Sequence, residues 1–236
     1  MRLFAIGDLH MSGGDDKPMD IFGAQWDRHF LRISENWRKV VSPDDTVLIP
    51  GDISWAMQLE NALPDLQEIG KLPGKKILCK GNHEYWWNSI SRIRAVLPDG
   101  MQALQFDAAD LGCCVVCGTR GWLFPTDKTP LAAQDEKICI REAQRLALAL
   151  DAADRIGNGR PIVVMMHYPP LLKSDPESVF TDILQSNPRV RTVVYGHLHG
   201  AAFANAFDGE KGIIRYYPVS CDGIGFCPRE IPVPNS

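Results

Sequence analysis

The sequence predicts an α/β fold built on two sheets. Short apolar runs that end at glycine alternate with stretches in which apolar residues recur every three or four positions, and these are the patterns of buried strands and amphipathic helices. Further strands and a hairpin in the second half of the chain suggest a second sheet packed on the first. No repeat, low-complexity tract or linker interrupts the chain, so we predict a single domain over residues 1–236.

The elements of the first half follow from this periodicity. Strands are predicted at Arg2–Ile6, Thr46–Ile49 and Lys76–Cys79, and helices at Gln25–Val41, Leu59–Ile69 and Trp87–Leu97. The segment Met11–Pro18 is predicted to be a polar loop, and Pro64 to break or restart the second helix. His29 lies among charged neighbours in the first helix and is expected at the surface.

The second half continues the alternation of strands and helices. Strands are predicted at Met101–Phe106, Cys113–Cys117, Pro161–Met166 and Thr192–Tyr195, a long helix at Asp135–Arg155, and a short helix from Val179. Phe203–Phe207 and Ile213–Tyr217 are predicted to pair as a hairpin across a Gly-containing turn. The proline-containing tail from Cys227 is expected to be surface coil.

The composition is that of a globular protein without a general affinity for nucleic acid. Apolar residues make up 45% of the chain and the net charge is -4, whereas nucleic-acid binders show a basic surface. The apolar run Leu3–Ile6 is too short for a signal peptide, and no run approaches the length of a membrane span. We therefore expect a cytoplasmic protein with no membrane partner.

The cysteines are expected to be reduced thiols. Their number is odd, at 7, and no secretory signal accompanies them. Cys113, Cys114 and Cys117 fall in an apolar, strand-like run, and no second cysteine pair completes a set of four zinc ligands. We interpret these three as small buried hydrophobic residues.

Polar side chains of metal-binding type follow the predicted strands. They are Asp8, His10, Asp52, Asn82, His83, His167, His197 and His199. Of the 6 histidines only His29 lies outside this set. Ligands of open α/β sheets bind at the carboxyl ends of strands, so we expect these side chains to converge. Asp8 and His10, two apart in a segment taken as extended, are expected to face the same side.

Imidazole, carboxylate and amide groups without thiolate suit Mn²⁺, Fe or Zn²⁺. The candidate ligands are too many for one tetrahedral ion, and a carboxylate that bridges two ions resolves the excess. Two ions roughly 3.5–4 Å apart activate water and stabilise an in-line displacement. The set therefore indicates a dinuclear site acting on phosphate esters.

The motifs D-L-H at 8–10, G-D at 51–52, G-N-H-E at 81–84, H-Y at 167–168 and G-H-L-H at 196–199 resemble, in order, the five signature blocks of the calcineurin-like metallophosphoesterase superfamily. The resemblance covers most of the chain, from residue 8 to residue 199. It implies a four-layer αββα sandwich of two mixed sheets and a cofactor of two divalent transition-metal ions, Mn foremost, with Fe, Zn or Co as the other candidates.

The same resemblance implies a role for each matching residue. Asp8, His10 and His199 hold the first ion, Asn82, His167 and His197 hold the second, and Asp52 bridges them. The nucleophile is then a metal-bridging hydroxide. His83 is not a ligand in such sites and is the candidate general acid, with Glu84 orienting its imidazole.

Departures from the family pattern narrow the range of expected substrates. Protein phosphatases of the superfamily carry V-D-R-G at the second block, whereas Asp52 is followed here by Ile53-Ser54-Trp55-Ala56. Lipid A precursor hydrolases usually carry Arg at the position of His83. The chain looks most like uncharacterised bacterial phosphohydrolases with a Trp-rich signature, and we expect a small phosphoester as its substrate.

Three further residues are candidates for substrate binding. Trp55 and Trp86 lie near the motif loops and either form an aromatic wall that stacks on the substrate or pack beneath the loops. Arg120 follows a predicted strand and is either a phosphate clamp or a solvated surface residue.

Three alternatives remain open in principle. A nuclease of the same superfamily needs a basic groove, and the net charge of -4 does not favour one. A non-catalytic binding module on this fold typically loses ligands or the histidine of the third block, and this chain keeps them. A structural metal site has no use for His83 and Glu84.

Overall fold

In the computed structural model, two β-sheets lie face to face between two layers of helices. The structure describes residues 1–12, 19, 23–126 and 129–233, so most of the predicted Met11–Pro18 loop lies outside the described residues. The strands, in chain order, are β1 Leu3–Ala5, β2 Thr46–Pro50, β3 Lys75–Cys79, β4 Met101–Ala103, β5 Ala108–Asp110, β6 Val115–Thr119, β7 Ile162–Met166, β8 Val190–Tyr195, β9 Gly209–Lys211, β10 Ile214–Pro218 and β11 Arg229–Ile231. The α-helices are α1 His29–Val40, α2 Leu59–Gly70, α3 Ile90–Val96, α4 Ala133–Gly157 and α5 Val179–Ser186.

Both sheets are mixed. The first has the strand order β11-β1-β2-β3-β4, in which β1 to β4 run parallel and β11 pairs antiparallel with β1. The second has the order β5-β6-β7-β8-β10-β9, in which the four inner strands run parallel and both edge strands run antiparallel. Parallel strands place their carboxyl ends at one edge of each sheet, and the site is built there.

Three apolar layers hold the sandwich together. Successive side chains of a strand point to opposite faces. In β7, Val163 and Met165 pack between the sheets, whereas Val164 and Met166 pack toward α4 and α5. In β2, Leu48 enters the layer between the sheets, while its neighbours pack toward α1 and α2. The four-layer αββα sandwich expected from the sequence is therefore confirmed.

Two helices differ from their predictions. The first helix begins at His29 because Arg28 has a left-handed backbone (φ 45°), and Trp26 lies in a separate 3₁₀ turn. His29 is half-buried rather than a surface residue, and its Nε2 donates to the Leu9 carbonyl at 2.8 Å. The second helix runs through Pro64 without a break. Pro64 lies on its exposed face, where the carbonyl that the missing N–H leaves free is open to solvent.

Two predictions about strands were wrong. The hairpin partner of β10 is Gly209–Lys211, whereas Phe203 lies in a 3₁₀ helix over Gly200–Asn205. The C-terminal tail is not coil, because β11 extends the first sheet beside β1. Arg229–Ile231 shows no strong pattern of its own, and its conformation comes from this long-range pairing.

None of the described helices combines the length and the apolar character needed to cross a bilayer. All seven cysteines are free thiols. Cys114 and Cys117 are buried as predicted, whereas Cys113 is exposed.

Candidate active site

The loops that leave β1 and β2 run side by side and carry the first polar residues of the site. Asp8 N–H donates to the Gly51 carbonyl and His10 N–H to the Asp52 carbonyl, both at 2.9 Å. Asp8, His10 and Asp52 have positive φ, at 60°, 43° and 51°. The sequence analysis took the segment from Asp8 to His10 as extended, and these φ values show that it is not. Left-handed non-glycine residues are uncommon and concentrate at functional sites, which is where these residues lie.

A first set of donor atoms is formed by Asp8, His10 and His199. Ligand atoms of the three side chains lie within 4.8 Å of one another. The Nε2 atoms of His10 and His199 are 3.3 Å apart, and His199 Nε2 is 3.5 Å from Asp8 Oδ1. Ligand atoms of two residues near the N-terminus and of His199 thus face one point.

A second set gathers around Nε2 of His167. The Nδ1 atom of this ring donates to the Pro50 carbonyl at 3.0 Å, which leaves Nε2 as the free nitrogen. Asn82 Oδ1 lies 2.6 Å from that nitrogen and His197 Nδ1 lies 3.2 Å from it. The Asn82 oxygen is also 3.0 Å from His197 Nδ1.

The carboxylate of Asp52 lies between the two sets. Its Oδ1 accepts a hydrogen bond from the backbone N–H of His83 at 2.9 Å. Its Oδ2 is 3.4 Å from His167 Nε2 and 3.9 Å from His10 Nε2. One oxygen is therefore anchored to the backbone, and the other faces both sets.

The donor atoms fit divalent ions. Ligand atoms on one ion with bonds of about 2.0–2.2 Å stand roughly 3 Å apart, close to the separations within each set. Nε2 of His167 and Oδ1 of Asn82 both carry lone pairs and lie 2.6 Å apart, a contact that a shared cation would stabilise. The set lacks thiolate, so it suits Mn, Fe, Zn or Co.

The backbone approaches these carboxylates too closely for any side chain. A Cβ at Gly81 would lie 2.2 Å from Asp52 Oδ1, and a Cβ at Gly196 would lie 2.4 Å from Asp8 Oδ2. The glycines in the G-N-H-E and G-H-L-H motifs are thus required by the packing of the carboxylates against the loops.

Burial and mutual charge shift the pKa values of the two carboxylates in opposite directions. Burial alone would raise the pKa of Asp8, but the contact and charge of His199, together with His167 and His10, hold it well below its usual value. Burial and the charge of Asp8 raise the pKa of Asp52 to about 8. A cation held by the two carboxylates would offset this repulsion and favour the ionised form of both.

The imidazoles are mostly held in the neutral, metal-binding form. Burial is the first cause in each case. It lowers the pKa of His10 well below its ordinary value and also lowers the pKa of His167. The pKa of His197 falls to about 3. His199 is the exception, because its contacts with Asp222 and Asp8 outweigh burial and raise its pKa to about 10. An ion held by His199 would have to displace this proton.

His83 stands beside the cluster without belonging to either donor set. Its Nε2 is 3.9 Å from Asp52 Oδ2, and its ring packs against Trp55 at a centroid distance of 4.2 Å. The Nδ1 atom is buried and has no hydrogen-bond partner among the described residues. Burial, followed by the charge of His167, lowers the pKa of His83 to about 4.

The sequence profile of the calcineurin-like phosphoesterases matches residues 1–201, which include every residue of both donor sets. The chain belongs to the calcineurin-like phosphoesterase family. It is a metal-dependent phosphoesterase, and the family to which it belongs carries a dinuclear centre of divalent ions. No curated protein is significantly similar to it in sequence.

Solved structures share the fold of this phosphoesterase. The protein of unknown function AQ665 from Aquifex aeolicus is 15% identical with a TM-score of 0.51, and the match covers 97% of this chain and 95% of that one. Phosphopantetheinyl hydrolase (PptH) from Mycobacterium tuberculosis is 16% identical with a TM-score of 0.57, and the match covers 99% and 96%. At these identities the likeness shows the fold alone.

Glu84 supports the loops of the phosphoesterase instead of orienting His83. Its carboxylate is fully buried and accepts hydrogen bonds from the backbone N–H groups of Asp52 (3.1 Å), Gly81 (2.5 Å) and Ile53. The predicted contact with the His83 imidazole is not formed, because both oxygens of Glu84 face the backbone of the loops that carry Asp52 and Asn82. The motif G-N-H-E thus ends in a structural residue.

We expect Glu84→Ala to destabilise the phosphoesterase by about 3 kcal/mol, because it leaves buried N–H groups without an acceptor. Denaturant unfolding in the presence of chelator measures this free energy without a contribution from metal. The control is Glu35→Ala, an exposed glutamate on α1, which should change it by about 0.5 kcal/mol or less. Equal effects of the two substitutions would contradict the structural role of Glu84.

Asp222 is a member of the site that sequence analysis missed. Its carboxylate accepts from Nδ1 of His199 at 2.8 Å and from the backbone N–H of Gly200 at 2.9 Å. The hydrogen bond to Nδ1 aims Nε2 of His199 at the first donor set. The only signal in the sequence is that Asp222 follows an apolar run, as Asp8 and Asp52 do.

We expect Asp222→Ala to weaken metal binding by roughly 10–100-fold, the usual effect of removing the carboxylate behind a histidine ligand. Calorimetric titration with Mn²⁺ measures this, and Asp222→Asn should lose less because it keeps an acceptor for His199. Asp182→Asn, at an exposed position on α5, is the matched control. An affinity for Mn²⁺ that is the same in Asp222→Ala and in the control would exclude the positioning role.

Two of the cavities that open on the cluster are lined by His197. The first, of about 450 Å³, is walled by Trp26 and Trp55. The second, of about 410 Å³, is walled by Trp122 and Tyr168 and is mostly apolar. Both volumes fall in the range of small-molecule sites.

The three candidate substrate-binding residues lie in different places. Trp55 faces the first cavity and stacks on His10 with ring centroids 4.9 Å apart. Trp86 is 1% exposed and donates to the Ser54 carbonyl, so it packs beneath the loop and does not reach a substrate. Arg120 lines neither cavity: its guanidinium contacts Glu142 and lies over Trp122.

Proposed function

We propose that this phosphoesterase hydrolyses small phosphomonoesters or phosphodiesters at a centre of two divalent ions. The observation that carries the proposal is the arrangement of two donor sets around Oδ2 of Asp52, with His83 beside them and bound to neither set. A structural metal site needs no uncommitted imidazole at its edge, whereas an esterase needs a proton donor for the departing oxygen.

In this proposal Asp8, His10 and His199 hold the first ion, Asn82, His167 and His197 hold the second, and Asp52 bridges them. When bound, two such ions supply an activated water and neutralise charge on the phosphoryl group. Manganese is our first candidate, and Fe, Zn and Co suit the same nitrogen and oxygen donors.

His83 is proposed to protonate the leaving oxygen. Its low pKa makes the imidazole neutral in the free site at neutral pH. The negative charge of a bound phosphate raises this pKa and favours the imidazolium, the form that donates a proton. Trp55 holds the ring from one side and the backbone N–H of His83 is fixed on Asp52, so the ring is positioned without Glu84.

The cavities support a substrate with an apolar organic group. A monoester would place its alcohol in one of them, and a diester would place a group in each. Phosphopantetheinyl hydrolase, which shares the fold, supports a small organic phosphate as the class of substrate. The apolar walls and the net charge of -4 favour such a compound over duplex DNA.

The test is a panel of aryl and alkyl phosphate mono- and diesters, assayed after addition of Mn²⁺, Co²⁺ or Zn²⁺ to the chain. Elemental analysis of protein purified without chelator should find more than one equivalent of metal. We expect turnover of the small esters and little turnover of phosphoprotein or duplex DNA. Robust turnover of a phosphoprotein with poor turnover of every small ester would overturn the proposal.

Two wider predictions belong to the same proposal. We propose that residues 1–236 form one metallophosphoesterase domain, a view supported by the apolar layer shared between the sheets. The cytoplasmic location stays a prediction.

A further inference from the structure

A third cavity, of about 270 Å³, opens where the carboxyl ends of β3 and β6 meet the side of α4. Its cationic lining residues are Lys80, Arg120, Arg141 and Arg145. Among the described residues that line it, Glu142 is the sole acid. Four positive side chains against one carboxylate leave three positive charges in excess.

Glu142 is already engaged by its neighbours. The side chain is 1% exposed, and its Oε2 accepts from the Thr119 hydroxyl at 2.7 Å. Its Oε1 accepts from Arg145 at 2.7 Å and lies 3.3 Å from a terminal nitrogen of Arg120. This carboxylate contacts Arg120 and Arg145 and offsets one of the four positive charges.

Donor groups in the cavity remain available. The Nε atom of Arg120 is buried and has no hydrogen-bond partner among the described residues. The guanidinium lies over the Trp122 ring at 4.4 Å, which fixes its plane. Lys80 donates to the Trp87 carbonyl at 2.9 Å, one bond for an ammonium that carries three protons. A buried donor without an acceptor costs free energy that an anionic ligand would recover.

The cavity adjoins the backbone of the loops that carry the second donor set. Lys80 precedes Asn82 by two residues, at the start of the G-N-H-E loop. The Arg120 carbonyl accepts from the backbone N–H groups of His167 (3.1 Å) and Tyr168 (2.9 Å). The backbones of Lys80 and Arg120 therefore belong to or contact the loops that position the second donor set, although the two residues line a separate cavity.

We propose that this cavity is a second anion site, which binds a phosphate group beside the loops that carry the second donor set. Arginine presents several N–H donors in a plane and suits the oxygens of phosphate, and lysine adds a point charge. The volume is below that of sites which enclose a whole drug-sized ligand, so it fits one small charged group. That group is either a remote phosphate of the substrate or free inorganic phosphate.

Calorimetric titration of the metal-loaded full chain with inorganic phosphate tests the site without any turnover. We expect two phosphate ions per chain, one at the metals and one in the cavity. The double substitution Arg141→Gln with Arg145→Gln should weaken the second binding event by roughly 10–100-fold, the value of lost hydrogen bonds to a charged group. The matched control is Arg155→Gln, an exposed arginine on the same helix that does not line the cavity.

Arg141→Glu provides a second variant. Arg141 is exposed, so its charge can be reversed without disturbing the core, and the second binding event should weaken in the same direction. The proposal is overturned if the native chain binds phosphate at the metals alone, or if both variants bind two phosphate ions with the affinity of Arg155→Gln. An enzyme inactive on every ester would refute the proposed function and leave this result untouched.

The source of the phosphate group is decided by a pair of esters with the same leaving group, one of which carries a second phosphate at its far end. If the doubly phosphorylated ester has the higher kcat/KM and Arg141→Glu removes that advantage, the cavity binds the substrate. If the two esters react equally while the second calorimetric event persists, the cavity binds free phosphate. Either result supports an anion site.

Discussion

Asp52→Asn should lose bound metal and activity together. Both donor sets face Oδ2 of this carboxylate, so removal of its charge weakens both ions at once. We expect less than one equivalent of metal by elemental analysis and a fall in kcat/KM of roughly 10³-fold or more, which corresponds to about 4 kcal/mol of lost transition-state stabilisation.

Thermal unfolding separates loss of metal from misfolding in this variant. Asparagine keeps an oxygen for the His83 N–H, and with a pKa of about 8 the Asp52 carboxyl is mostly uncharged in the metal-free chain at neutral pH, so the metal-free variant should be about as stable as the native chain. Metal raises the melting temperature of a protein that binds it, and this rise should disappear in Asp52→Asn. Asp151→Asn, at an exposed position on α4, should keep both the rise and the activity. Two equivalents of metal in Asp52→Asn would contradict the bridging role.

His83→Ala should keep its metal and still lose kcat by roughly 10²–10⁴-fold, the usual contribution of general acid–base catalysis. No donor atom is lost, because His83 belongs to neither group of ligand atoms. The loss should depend on the leaving group. A nitrophenyl ester needs little protonation of its oxygen and should suffer less than an alkyl ester.

The control for His83→Ala is His29→Ala. His29 is the remaining histidine outside the cluster, and its imidazole holds the Leu9 carbonyl. This substitution should lower stability without changing the ratio of rates for the two kinds of ester. An equal loss for both esters in His83→Ala, or loss of its metal, would reassign His83 to phosphate binding or to metal ligation.

Sequence patterns located most of the site because its residues occupy one kind of place, the end of a buried strand. Asp8 follows β1, Asp52 follows β2 and His167 follows β7, and apolar runs that end at a glycine or a polar residue mark such places without any knowledge of contacts. The fold class follows from the same runs, since periodicity is local.

The same patterns misplaced elements whose conformation depends on distant partners. β11 exists because it completes the edge of the first sheet beside β1, and the hairpin strand Gly209–Lys211 exists because β10 pairs with it. The left-handed backbone of Asp8 and His10 comes from hydrogen bonds to the loop after β2, which local propensity does not favour.

The sequence by itself thus determined the α/β class, the order of most elements and the seven residues expected to bind metal. Each of these gives a recognisable pattern within a few positions along the chain. Only the tertiary structure decided what several side chains contact. Glu84 was expected to contact the imidazole of His83, but it binds backbone amides. Arg120 faces a separate basic cavity, and Asp222 stands behind His199. The direction of a side chain at a loop is set by the hydrogen bonds and charges of segments far away in sequence, and these exist only once the two sheets have packed together.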